Sequence, residues 1–401
     1  MSTIRERKPF RILSLDGGGT WALIQAKVLL DIYGPNRKGH EILRDFDLVA
    51  ANSGGSIVAA GLIADMTPAE ILALFMTELT REQLFQKLPF YRRLLRIIDL
   101  GPQFSTGGKL KGLTEVLHGL ATSALDGLKI PNRSGSPIRF LITAFDYDRE
   151  RAVFFRSDRN SPAANFPRGA VSLSAIEAVH ASSTAPVNYF DGPAEFGSRR
   201  YWDGGMAGLN NPVLAAVVEA VAYGTPRSDI GVLSIGTGKT FLPVKGEAAS
   251  PELVQAPAAL GLGASIKKAA SAVVADPPDT DSFIAYLMLG GSLPGDQAAL
   301  PVEPDFFVRM NPLIRPGFGN GQWLRPGDTS ASDFKALAEM DLAVTDDKDV
   351  KLIDRFCNGW MCDGWSNQPI RNGSDTDGSG APNIHFCEIG HPTYSAAKAA
   401  W

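Results

Sequence analysis

Through the first 240 residues, short apolar runs stop at glycine-rich loops, and segments with helical spacing follow them. Arg11-Ile-Leu-Ser-Leu15 is such a run; it ends at Asp16 and three glycines, which predicts a buried strand closing in a tight loop. Trp21 to Tyr33 then has apolar residues at helical spacing and closes at Gly34-Pro35. Phe46 to Ala51 predicts a second buried strand, followed by Asn52-Ser-Gly-Gly-Ser56 and a helix from Ile57 to about Ala64. Thr67-Pro68 reads as the cap and first turn of another helix.

Ile138 to Ala144 and Ala152 to Phe155 predict two strands joined by the charged turn Asp146 to Glu150. Leu173 to Ala181 is helical, Val213 to Tyr223 is helical after Asn210-Asn-Pro212, and Gly231 to Ile235 is a strand ending at Gly236-Thr-Gly238. Strands alternating with helices predict an α/β fold with a mainly parallel central sheet and helices on both faces. After about residue 240 the texture changes. Residues 241–345, rich in Ala, Gly and Leu over 251–298 with a Pro-Pro break at 277 and 278, read as a helical extension or lid. Residues 346–401 read as an irregular C-terminal segment with a Gly/Ser/Asn/Asp loop at 366–382.

Composition narrows the class. Apolar residues at 44% and charged residues at 20% exclude a disordered or fibrous chain. A net charge of −4 gives no general pull toward a nucleic acid polymer, so any anionic partner needs a local patch. Cys357, Cys362 and Cys387 are too few and too clustered for a disulfide framework. The N-terminus lacks an apolar signal core, and no stretch reaches the roughly 18 apolar residues of a spanning helix, which leads us to expect a cytoplasmic protein.

Three loops carry candidate chemistry. Ser53 follows a strand and precedes a helix, with small residues Ala51 and Gly55 two positions away on either side. That is the pattern of a nucleophile elbow, in which a sharp turn exposes the hydroxyl; an ordinary turn with Ser53 as a cap would read the same way. Asp16-Gly17-Gly18-Gly19-Thr20 can present backbone N–H groups to an anion, either a phosphate or an oxyanion. No Gly-Lys-Ser/Thr follows, and position 22 is Ala where a dinucleotide fingerprint needs a third glycine. Asp203 follows two aromatics and precedes two glycines, so it could point into a cleft or sit on a surface turn.

Together these residues resemble the patatin-like phospholipase family, from about Phe10 to Lys239. The blocks, in order, are Asp16-Gly-Gly-Gly-Thr, Asn52-Ser-Gly-Gly, Ala181 to Phe190, Asp203-Gly-Gly with Asn210-Asn-Pro, and Leu233 to Gly238. The resemblance implies a three-layer α/β/α core at 8–240 and a Ser53/Asp203 dyad without histidine. It also implies an oxyanion loop of Gly17, Gly18 and Gly19, and ester hydrolysis of membrane phospholipid with no cofactor and no metal. His180, in an apolar helix, reads as a satisfied core residue. The chain departs from the family at Ala51, where Gly is usual, and at Trp21-Ala22, where Arg-Gly is usual. An acyltransferase on the same scaffold and a silent lipid- or nucleotide-binding protein are the competing expectations.

The segment 81–111 carries seven basic residues, among them Arg81, Arg92, Arg93, Arg96 and Lys109, against Glu82 and Asp99. Interleaved with apolar residues, it predicts a basic amphipathic insert making peripheral contact with the inner membrane surface. An ordinary paired helix and a pocket for an anionic or cyclic-nucleotide activator are the alternatives; some bacterial relatives look like nucleotide-switched effectors of antiphage defence. Cys357, Cys362, His385, Cys387 and His391 cluster at the C-terminus without the spacing of a zinc finger, and read as structural.

Overall fold

The computed structural model describes residues 8–89, 102–164, 173–186, 189–243, 253–255, 277–292, 304–319, 322–327, 329–370 and 389–401. Its central sheet is built from β1 (Phe10–Leu15), β2 (Leu48–Ala51), β3 (Arg139–Asp146), β4 (Arg151–Arg156), β5 (Ala194–Phe196), β6 (Arg199–Asp203), β7 (Ile230–Ile235) and a strand after residue 300. Between these last two lies β8 (Lys239–Thr240), which pairs with a short later strand, so the final strand of the sheet is β9 (Phe307–Met310). The order is β5-β6-β3-β2-β1-β7-β9, with β4 paired to β3.

Strands β3, β2, β1, β7 and β9 run parallel. They are apolar almost throughout because both faces are covered. Alternate residues sort to opposite faces: Leu13, Leu15, Val49 and Ala51 pack with helices 23–33 and 53–63. Ile12, Leu48 and Ala50 pack with helices 213–222 and 277–288. This is the expected three-layer α/β/α arrangement.

Register places the chemistry. Leu15 pairs with Ala51 and with Ile235, so β1, β2 and β7 end level. Their three loops therefore emerge side by side at the carboxyl edge of the sheet, where open α/β folds bind ligands. The hairpin strand β6 runs antiparallel and sets Asp203 opposite Ala144, two residues beyond the Ile142 that pairs with Ala51. Asp203 thus arrives at the same edge from the other direction.

Three expectations change. The helix after β2 begins at Ser53 rather than Ile57, because Gly54 and Gly55 pack into its first turn against the backbone of Gly19 and Leu15. Pro277-Pro278 does not break a helix; it opens one, Pro277–Met288, where the missing N–H groups are not needed. The region beyond 240 also supplies β9 to the main sheet, so it is more than a helical lid.

The segment 346–401 is not irregular where described. It holds the 15-residue helix Asp347–Met361 and the helix Tyr394–Ala400. Val350, Ile353, Phe356, Cys357 and Trp360 form a buried stripe on the first, hidden in sequence among six charged residues between 347 and 355. Trp401 stacks on Phe46 at 5.8 Å, and the Arg11 guanidinium lies 3.7 Å from the Trp401 ring centroid. The rest of the loop 366–382 and most of 251–298 lie outside the described residues.

Candidate active site

Ser53 sits at the corner between β2 and helix 53–63 with φ of +48°, a left-handed conformation that a non-glycine residue adopts only under constraint. Its backbone N–H donates to Ser182 Oγ at 2.9 Å. Gly55 must lack a side chain, since a Cβ there would stand 2.5 Å from the Leu15 carbonyl oxygen. The elbow is therefore fixed by close backbone on one side and a hydroxyl on the other.

Asp203 caps the short helical turn 204–207, and its Oδ1 accepts from Gly205 N–H at 2.8 Å and from Asn52 Nδ2 at 3.0 Å. The Ser53 hydroxyl acts on the same carboxylate and opposes its rise. Burial pushes the Asp203 carboxyl above the ordinary carboxylate range, opposed first by the Ser53, Gly205 and Asn52 hydrogen bonds and then by the Lys109 ammonium. Asn52 is itself oriented by Thr143, whose Oγ1 donates to Asn52 Oδ1 at 2.7 Å. The residues expected as nucleophile and base are thus brought together.

The glycine loop is only partly as expected. Gly17 N–H donates to the Asn210 carbonyl at 2.8 Å, so it is engaged and not an open donor. Gly17 is instead a residue of close approach, since a Cβ would lie 2.9 Å from Ser53 Cβ and nearer still to Asn52 and Asn210. The N–H groups of Gly18 and Gly19 have no hydrogen-bond partner among the described residues. Gly19 has φ of +56° and packs under the Leu342 carbonyl. Among the described residues, the loop N–H groups left open to an anion are therefore those of Gly18 and Gly19, not Gly17.

Two anchors of this loop were not legible in sequence. Asp16 is held by the buried Arg309 of β9, with Nη1 to Oδ1 at 2.9 Å and Nη2 to Oδ2 at 2.5 Å. The segment 341–344 straps the other side: Thr20 N–H donates to the Leu342 carbonyl at 3.0 Å and Thr20 Oγ1 to the Val344 carbonyl at 2.8 Å. Trp21, standing where an arginine was expected, donates Nε1 to the Asp341 carbonyl at 3.0 Å.

With this geometry in place, the family comparison decides the class. The family model described as patatin-like phospholipase matches residues 13–217. The chain belongs to the patatin-like phospholipase family.

Among patatin-like relatives, the chain is 31% identical over 242 residues to a cGAMP-activated phospholipase of Pseudomonas aeruginosa, covering 60% of this chain and 66% of that protein. It is 27% identical to a cGAMP-activated phospholipase of Vibrio cholerae, over 57% of this chain and 64% of the other. The match thus spans slightly less than two thirds of the length of each. Protein teg of Priestia megaterium is 24% identical over 76% of this chain and 88% of its own length.

Within this patatin-like chain, the basic insert at 81–111 loses part of its membrane reading. Arg81 is fully buried and donates to the Phe75, Met76 and Thr345 carbonyls and to Asp347. Lys109 is buried as well, whereas Lys87 and Lys111 are exposed. Arg92, Arg93 and Arg96 lie outside the described residues. His180 is buried, as expected of a core residue, but its Nδ1 has no hydrogen-bond partner among them, so it is not a satisfied histidine. Cys357 packs in the core and Cys362 is exposed, while His385 and Cys387 lie outside the described residues. No described helix is long and apolar enough to cross a membrane.

Proposed function

We propose that this chain is a lipid acyl hydrolase that releases fatty acid from membrane phospholipid through a Ser53/Asp203 dyad. The observation that carries the reading is the strained Ser53, whose side chain acts on a desolvated Asp203, together with the N–H groups of Gly18 and Gly19, which have no partner among the described residues. A carboxylate out of water is a stronger base, and a serine needs such a base to become a nucleophile.

Asp203 takes the Ser53 proton as Oγ attacks the acyl carbonyl. Gly18 and Gly19 donate to the oxygen that gains charge, each such donor lowering the barrier by about 3–4 kcal/mol. The tetrahedral intermediate collapses, the lysolipid oxygen leaves with the proton from Asp203, and an acyl-serine remains. Water then gives its proton to Asp203, attacks the acyl carbon, and the fatty acid departs as Ser53 recovers its proton.

By analogy with the relatives named as cGAMP-activated, we extend the proposal to a cyclic-dinucleotide activator, and to action at the inner membrane surface. The test is fatty-acid release from phospholipid vesicles, with and without cyclic dinucleotide. Ser53→Ala and Asp203→Ala should each abolish release while circular dichroism is unchanged. Full activity in either variant removes the dyad, and labelling by a fluorophosphonate at a serine other than Ser53 removes the nucleophile.

A further inference from the structure

Lys109 is a buried charge that the mechanism above does not use. It lies in the first turn of helix Thr106–Val116 with only 1% of its surface exposed. Its Nζ stands 3.4 Å from Thr184 Oγ1 and 4.5 Å from the centroid of the Phe190 ring. Thr184 Oγ1 already donates to the His180 carbonyl at 2.6 Å, so it meets Nζ as an acceptor. The carbonyl of the same Thr184 accepts the Asp203 N–H at 2.8 Å, tying lysine and base to one residue.

Among the described residues no carboxylate comes within ion-pair distance of Lys109, and Asp203 is the group whose negative charge acts on it. A desolvated ammonium without a direct ion pair opposes folding, so a packing role alone gives no reason for a lysine here. A carboxylate tied to the same Thr184 does.

We propose that Lys109 is a positioning residue of the dyad: held with Asp203 on Thr184, it keeps that carboxylate ionised and ready to take the Ser53 proton. This rests on the Ser53/Asp203 reading. Burial drives Asp203 up and Lys109 down, and each charge opposes the shift of the other. The other titratable groups facing them are His180, held well below its ordinary value by burial and then by Lys109, and Tyr189, whose hydroxyl donates to Asp341 at 2.5 Å. With His180 held well below its ordinary value, Lys109 is the cation acting on Asp203 among the described residues.

The experiment measures the rate of Ser53 labelling by a fluorophosphonate on the full chain from about pH 5 to pH 9. In the wild type the rate rises as Asp203 ionises. Lys109→Met should move that rise to higher pH by about 1 pH unit, leaving the alkaline plateau within a few-fold of wild type. Phe190→Leu keeps the lysine but removes the ring face that stabilises its charge, and should move the rise the same way by less. A folded Lys109→Met with the rise unmoved assigns the lysine to packing and overturns the proposal. Should Lys109→Met fail to fold, Phe190→Leu decides on the same criterion. Asp203→Asn separates the two ideas: if it labels like wild type the dyad itself falls, whereas if it fails to label while the lysine variants show no shift, only the role of Lys109 falls.

Discussion

Asn52 Nδ2 donates to Asp203 Oδ1 at 3.0 Å, so the residue preceding the nucleophile orients the base. Nucleophile and orienting group are chain neighbours at one strand end, while the base comes from a strand 150 residues later. Any shift of the elbow therefore moves both partners of the base together. Asn52→Ala removes a hydrogen bond to an ionised group, about 1.5–3 kcal/mol, and should lower kcat/KM by about 10- to 100-fold. The global fold should survive, since the vacancy is a single amide. Steady-state kinetics on a water-soluble ester checks this, and an unchanged kcat/KM would show that Asp203 needs no such orientation.

Gly17→Ala should abolish Ser53 labelling. Its Cβ would lie 2.9 Å from Ser53 Cβ and 2.6 Å from Asn52 Nδ2, both part of the site. Gly107→Ala is the control, because nothing lies within 4 Å of a Cβ there and it is an exposed position of helix 106–116. That variant should be neutral or more stable by up to about 1 kcal/mol. Equal labelling of the two variants would contradict the close approach at Gly17.

Arg309→Met leaves Asp16 as a buried carboxylate without its partner. Breaking such a pair costs about 3–5 kcal/mol, so the melting temperature should fall by several degrees. Asp16→Asn in the same chain should recover part of the loss, because the stranded charge is gone. If Arg309→Met melts like the wild type, the pair does not anchor the glycine loop.

Asp281, on helix 277–288, is pushed up to about 7 by burial and by the nearby Asp16 carboxylate, and its Oδ2 lacks a hydrogen-bond partner among the described residues. The sign follows from linkage. A carboxyl with a folded value above its unfolded 3.8 contributes most to stability below 3.8, and that contribution is lost as pH rises through about 7. Asp281→Asn should therefore raise the melting temperature at pH 8 relative to wild type and give little gain at pH 4. A gain of the same size at both pH values would rule out this titration.

The site was legible in sequence to the extent that its residues stand at the ends of short strands. Ser53 and the glycines follow β2 and β1 directly, so the local pattern of apolar run, small residues and helix exposes them. Arg309 and Lys109 were not readable as site-building residues. Each acts through space: Arg309 reaches Asp16 across 293 positions, and Lys109 reaches Thr184 across 75. Nothing near Gly17 in the chain reveals that Asn210 occupies its N–H.

By itself, then, the order of apolar runs and glycine loops determined an α/β sheet with Ser53, Gly17 to Gly19 and Asp203 as its candidate chemistry. That information is local, because backbone conformation at a strand end depends on a few neighbouring residues. The tertiary structure decided which N–H groups stay open, that β9 and the C-terminal helices belong to the core, and that Arg81 and Lys109 are buried rather than facing a membrane. Those outcomes depend on which distant side chains fill the space around a group, and the burial of a charge or the engagement of a donor exists only once that packing has formed.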